Sequence, residues 1–173
     1  VASWVIICLT THCSDQKADA FWRVSSNVRN KKKGEKMPTK GQMTGMRGVY
    51  LVAAELARQG FISSLTSRST MGADILVSDQ QFRRTYSVQV KTNATTFNFW
   101  LLNKGSKKLD SPSHIYVFVN LRDKKDLIEY FIVPSKVIAD KMEIEEKPGK
   151  QLWCSFSYKN AKKYENNWSI FEK

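Results

Sequence analysis

The sequence predicts an α/β (α+β) fold, a β-sheet flanked by helices, on three observations. Residues 44–60 read as an amphipathic helix, residues 72–77 and 86–91 are apolar runs joined by a polar stretch, and residues 114–119 and 128–133 are two further apolar runs around a charged turn. Residues three to four apart share one face of the first segment, as a helix requires. The other runs have the length and the β-branched and aromatic content of strands.

Taken along the chain, residues 1–36 stand apart. The apolar run from Trp4 to Leu9 is short, with no basic region before it and no small-residue cleavage site after it, so it does not read as a signal peptide. Arg29, Lys31, Lys32, Lys33 and Lys36 make a basic stretch ending just before Met37. Met37 is a candidate natural start, which leaves residues 1–36 as an N-terminal extension, either non-native or a mobile arm touching a DNA backbone. Residues 37–173, rich enough in apolar side chains for one core, are expected to form a single domain.

In the helical segment Thr44 is a credible N-cap, Ala and Leu favour the interior, Arg58 suits the last turn and Gly60 the left-handed position beyond it. Glu55 falls on the face of Gly48, Leu51 and Val52. An acid on a small and apolar face calls for a partner; the plainer alternative is a solvent-facing acid paired with Arg58 or Gln59. Next, residues 78–84, with Asp79-Gln80-Gln81 as the turn, fold two strands together. Alternation then sends Val88 and Val90 one way and Gln89 and Lys91 the other, so that Asp74, Gln89 and Lys91 share one edge of the sheet.

Residues 92–113 carry no helical pattern. Phe97, Phe99 and Trp100 read as core or sheet-face residues more readily than as base-stacking platforms, and Lys104, Lys107 and Lys108 form a basic loop that is either solvated or in contact with a nucleic-acid backbone. Residues 114–119 predict a buried strand, 120–126 a charged turn and 128–133 another strand. Ser135 is expected to cap a short helix, 143–150 to form a charged linker and 151–158 a strand. A terminal helix is expected from residue 159, docked through Tyr164, Trp168 and Phe171.

The chain has 28 Lys and Arg against 16 Asp and Glu, a net charge of +12 and a pI near 9.7. Such a balance points to a polyanionic partner, nucleic acid first. No apolar run is long enough to cross a membrane and no basic amphipathic helix is evident, so no membrane partner is expected. Cys8, Cys13 and Cys154 are too few and too poorly spaced for a zinc site or a disulfide framework, which suits a reducing cytoplasm. No glycine-rich phosphate loop and no Ser-His-Asp order appears, so nucleotide hydrolysis and acyl transfer find no support.

Phosphodiester hydrolysis needs a hard cation with oxygen ligands. Asp74 offers a carboxylate and Gln89 a neutral amide oxygen, while Lys91 would orient the attacking water or stabilise charge in the transition state. Glu55 is the candidate second acid. The expected ion is Mg²⁺, with Mn²⁺ as a substitute.

These residues resemble the PD-(D/E)XK, or restriction-endonuclease-like, nucleases. The resemblance lies in the helix acid Glu55, the strand beginning Gly72-Ala73-Asp74-Ile75, and Gln89-Val90-Lys91 followed by Thr92, and covers roughly residues 44–135. It is greatest to the branch in which glutamine replaces the second acid, as in some group I intron-associated endonucleases, and lesser to archaeal Holliday-junction resolvases. The resemblance implies a central mixed β-sheet flanked by helices, metal binding by Asp74 and Glu55, coordination completed by Gln89 and the Val90 carbonyl, and assistance to the nucleophile by Lys91. Alanine stands at position 73 where the family often has proline. Candidate nucleic-acid contacts are Arg68, Ser69 and Thr70 on the loop before Asp74, Thr92 after Lys91, and Lys104, Lys107 and Lys108.

Two function classes follow: a Mg²⁺-dependent endonuclease acting on double-stranded DNA, and a non-catalytic DNA-binding module on a nuclease-like scaffold. A third, an interaction protein whose charge serves solubility, predicts no salt-sensitive affinity for DNA. A homodimer is the expected assembly if both strands are cut, because a symmetric pair turns two centres toward two backbones.

Overall fold

The first helix begins four residues earlier than its composition suggests. A computed structural model describes residues 37–67, 72–95, 97–122, 127–146 and 152–172. The chain divides into two units, Val1–Met37 and Pro38–Lys173, and the elements below belong to the second. Helix α1 spans Lys40–Arg58 and starts at a capping box: Gln42 N donates to Thr39 Oγ1 at 3.3 Å, and Thr39 N donates to Gln42 Oε1 at 2.8 Å. Two otherwise orphaned amides are thereby satisfied, so Thr39 and not Thr44 is the N-cap. At the other end Gly60 has φ +88°, the left-handed conformation expected of it.

Strands β1 (Ile62–Leu65), β2 (Ile75–Ser78), β3 (Thr85–Asn93), β5 (His114–Arg122) and β6 (Leu127–Pro134) form a sheet in the order β1-β2-β3-β5-β6. The β3–β5 pair is parallel and the rest are antiparallel, so the sheet is mixed. Strand β5 is buried from His114 to Leu121 because both faces of the sheet are covered. On one side Val52 and Leu56 of α1 pack with Val88, Val90, Ile115 and Val117. On the other, Tyr116 and Phe118 meet Trp100 and Phe156 of a smaller antiparallel sheet. That sheet has the order β4-β8-β7, from β4 (Phe99–Leu102), β7 (Glu143–Glu145) and β8 (Trp153–Ser157). The supposed charged linker thus contains an edge strand, unrecognised because all three of its side chains are exposed and no apolar alternation marks it.

Helix α2 (Ser135–Lys141) follows β6, but Ser135 does not cap it. Its hydroxyl donates to Ser111 O at 2.7 Å and accepts from Ser111 N at 3.0 Å, tying down the loop that leads into β5. The C-terminal segment is not one helix either. It runs as α3 (Tyr158–Ala161) and 3-10 turns at Lys162–Tyr164 and Trp168–Glu172, interrupted at Asn166, whose φ is +51°. Asparagine tolerates that conformation and the helix cannot pass through it. Trp168 and Phe171 consequently pack on the α1 side and Tyr164 on the opposite core.

Candidate functional site

The β2–β3 register ends at Ile75 opposite Val88, and Asp74 sits one residue past the last pair. Its backbone N still donates to Val88 O at 2.8 Å, after which the strands diverge. The Asp74 carboxylate fills the fork: one oxygen accepts from Val90 N at 2.8 Å and from the Gln89 side-chain amide. With the Gln89 nitrogen turned to Asp74, its oxygen is left to face elsewhere. The loop before Asp74 is fastened by Thr66, whose Oγ1 donates to Ala73 O at 2.6 Å and whose N donates to Asp74 O at 3.0 Å. Gly72, at φ +81°, makes the turn just ahead of it.

A hollow of about 480 Å³ opens at this fork. Asp74, Gln89, Val90 and Lys91 line it from the sheet, Leu65 and Thr66 from the strand β1 end, and Gln42, Gly45, Met46, Val49 and Tyr50 from α1. Four of the predicted site residues are therefore brought together. Of the α1 residues only Gln42 lay outside the expected helix, whose start was misjudged; Gly45, Met46 and Val49 lay within it, on a stripe with Gln42 at three- and four-residue spacing, and were passed over because the Glu55 face was expected to meet the site.

Glu55 is not among the residues lining the hollow, so its expected convergence with Asp74 does not appear. It lies six residues past Val49, which on a helix means about 9 Å along the axis and about 120° around it. Arg58 Nε and Nη2 donate to its carboxylate at 2.9 and 2.6 Å, and Gln59 Nε2 at 2.7 Å. The Arg58 hydrogen bonds hold the Glu55 carboxyl below its ordinary value despite partial burial, and the Arg58 guanidinium is held higher in return. On β6, burial and then the Glu55 charge push the Tyr130 phenol up. At the hollow the helix presents Met46 and Val49 instead of an acid. Among the described residues no three His, Cys, Asp or Glu side chains group as a metal cluster.

Lys91 borders the hollow and also an adjoining aromatic pocket. The Thr92 hydroxyl is buried against Gly48 of α1, where a Cβ added to Gly48 would come within 1.8 Å of it, so that oxygen packs the helix on the strand, while the half-buried residue also borders the aromatic pocket. Arg68, Ser69 and Thr70 lie outside the described residues. Lys104, Lys107 and Lys108 are exposed on a 3-10 turn, Lys104–Lys108, and none of them lines the hollow. Of the aromatic run, Trp100 is core, Phe99 is half-buried and Phe97 is exposed. No helix among the described residues is long and apolar enough to cross a membrane.

No protein-family model matches the sequence, and no curated protein matches it significantly. Among solved structures, a bacterial homing endonuclease, I-Ssp6803I, is matched with a TM-score of 0.51 at 11% identity, over 78% of this chain and 91% of that one. The fold is restriction-endonuclease-like. A second match is Hjc, a Holliday junction resolvase of the archaeal hyperthermophile Archaeoglobus fulgidus, with a TM-score of 0.42 at 11% identity, over 65% of this chain and 90% of that one. Within this restriction-endonuclease-like fold the expected central mixed sheet and flanking helices are present, with the hollow at the divergence of β2 and β3.

Proposed function

We propose that this protein is a metal-dependent endonuclease that hydrolyses phosphodiester bonds in double-stranded DNA, of the glutamine-bearing kind. The observation that carries the reading is the Asp74 carboxylate held by Gln89 and Val90 in the same hollow as Lys91. A hollow meant only to grip phosphate has no use for a carboxylate, which repels the ligand unless a cation lies between them. The donor set fits Mg²⁺ or Mn²⁺. Its donors are hard oxygens, and Mg²⁺ is ordinarily bound through one or two carboxylates, waters and substrate phosphates.

Asp74 and the Val90 carbonyl would hold the ion, and the Gln89 amide oxygen would join them after a flip of the side-chain amide whose nitrogen now donates to Asp74. When bound it neutralises charge on the phosphoryl oxygens and makes the attacking water more acidic. Asp74 is oriented by two donors from β3, so its position is fixed before substrate arrives. Lys91 stabilises the negative charge that develops on the phosphoryl group and orients the water. Glu55 has no part in this reading, since Arg58 and Gln59 already engage its carboxylate. Cutting both strands calls for two centres, and a symmetric pair of chains is the simplest supply. The free, buried Cys154 accords with action in a reducing cytoplasm.

One observation favours the second reading, a DNA-binding module without efficient chemistry: the α1 face at the hollow is apolar at Met46 and Val49, leaving Asp74 as the only carboxylate lining it among the described residues. Plasmid nicking in Mg²⁺ or Mn²⁺ separates the two. The nuclease reading expects nicking by the wild type and its loss, by 100-fold or more on the order typical of transition-state electrostatic groups, in Asp74→Ala and Lys91→Ala. Binding of duplex DNA with no nicking in either ion would establish the module instead.

A further inference from the structure

We infer that the pocket beside the hollow is a stacking site for unpaired nucleobases, and that the substrate is DNA with a short unpaired segment next to the scissile phosphate. The inference rests on the nuclease reading and narrows its substrate. A cavity of about 350 Å³ is lined by Lys91, Thr92 and Asn93 of β3, by Phe97, Phe99, Trp100 and Leu101, and by Trp153 of β8. That volume is within the range of roughly 300–1,000 Å³ usual for ligand pockets.

Trp100 is buried at 1% exposure, whereas Phe97 and Trp153 are 53% and 45% exposed and Leu101 is 50% exposed. The rings form a run, Phe97 to Phe99 at 5.8 Å between centroids and Phe99 to Trp153 at 6.0 Å, tilted and edge-on to one another. Rings that serve only the core would be covered, as Trp100 is; contiguous exposed apolar surface marks a binding face.

Three features favour nucleobases as the occupant. Lys91 borders both the pocket and the hollow, so a strand whose phosphate lies at Asp74 and Lys91 would put the neighbouring base on the aromatic run. Among the described residues the lining carries a cation and no carboxylate, as suits a polyanion. Aromatic faces accept any base by stacking, but a base inside a continuous duplex is already stacked on its neighbours and presents only its edge. Bases freed at a fork, gap or branch present their faces.

The test measures binding without cleavage, using the full chain in an Asp74→Ala background with EDTA, where no carboxylate repels the phosphate, and labelled DNA followed by fluorescence anisotropy. A duplex interrupted by an unpaired segment of a few nucleotides should bind tighter than a fully paired duplex of the same length. Phe97→Ala and Trp153→Ala should each weaken the interrupted duplex by roughly 5- to 140-fold, the span expected for one stacked base, and leave the paired duplex nearly unchanged. Trp153→Phe should restore most of the affinity, which a loss of folding would not allow. Equal affinity for both DNAs, unchanged by the alanine variants, overturns the inference. So does a self-association of the chain, seen by sedimentation, that the same two substitutions abolish, since the aromatic run would then be a protein interface. Failure of the nuclease reading shows separately, as absence of nicking with this base-dependent binding intact.

Discussion

Val49 is one of the uncharged residues that α1 brings to the hollow. It lines the cavity with Asp74, where an acid would offer a divalent ion a second anionic ligand, while the acid farther along the helix, Glu55, is turned to Arg58 and Gln59. Two substitutions follow from this geometry. Glu55→Gln should leave nicking within about twofold of wild type, and should cost at most a few tenths of a kcal/mol in urea denaturation, since it weakens an i,i+3 ion pair, half-buried at Glu55 and exposed at Arg58, of about 0.2–0.5 kcal/mol. Val49→Glu should instead raise affinity for Mn²⁺, read by calorimetry, because it adds a carboxylate on the hollow side of the helix. A large loss of nicking in Glu55→Gln would restore that residue to the site.

The contact between α1 and β3 depends on the absence of a side chain at Gly48. A Cβ there would lie 1.8 Å from Thr92 Oγ1 and 2.8 Å from Thr92 Cβ, so the helix sits on the strand adjoining Lys91 only because residue 48 is glycine. Gly48→Ala should destabilise the protein by about 1–3 kcal/mol, the usual cost of overpacking. Adding Thr92→Ala should recover part of the loss and not all, since Cβ of residue 92 remains in the way. A double-mutant cycle by denaturant unfolding measures that coupling.

At the start of β5, His114 offers a second test at this scale. It is buried, with Nδ1 2.8 Å from Ser87 Oγ and its ring edge-on to Tyr116, and burial pushes its imidazole below the ordinary value. The unfolded chain therefore holds the proton more tightly than the folded chain. The stability contributed by neutral His114 is full above the unfolded value, about 6.5, and is lost as pH falls through the folded value. The urea midpoint should drop between pH 7 and 5.5, by an amount equal to about 1 kcal/mol or less, and His114→Gln should flatten that drop.

Elements with one dominant signal were legible in the sequence. Strands β2 and β3, their polar turn, the buried β5 and the left-handed Gly60 follow from alternation, apolar content and glycine chemistry. The start of α1 was not, because Gly41 and Gly45 dilute its helical composition and the stabilising feature is a pair of side-chain hydrogen bonds between Thr39 and Gln42. The phase of α1 was only half legible. Gly48, Val52 and Leu56 make the buried stripe, and the stripe of residues 42, 45, 46 and 49 beside it faces the hollow. Periodicity identifies such stripes without saying what each one meets, which is why Glu55 looked like a partner for Asp74. The Asp74, Gln89 and Lys91 grouping was legible because strand alternation and one hairpin fix it.

Across the whole molecule the excess of 28 basic over 16 acidic residues sets how binding responds to salt. Each phosphate neutralised releases condensed counterions, so the logarithm of the binding constant falls with the logarithm of salt concentration, at a slope of about −0.9 per contact on duplex DNA. Lys104, Lys107 and Lys108 are exposed together on one 3-10 turn and lie outside the hollow, so any part they take is in holding the duplex and not in the chemistry. Replacing all three by alanine in an Asp74→Ala background, where the DNA stays intact, should therefore make the slope shallower by about 2.7 if all three meet phosphates. It should weaken paired and interrupted duplexes alike, in contrast to the selective effect expected at Phe97 and Trp153. A slope unchanged from that of Asp74→Ala alone would assign the three lysines to solvent and move the phosphate footprint to another face of the chain.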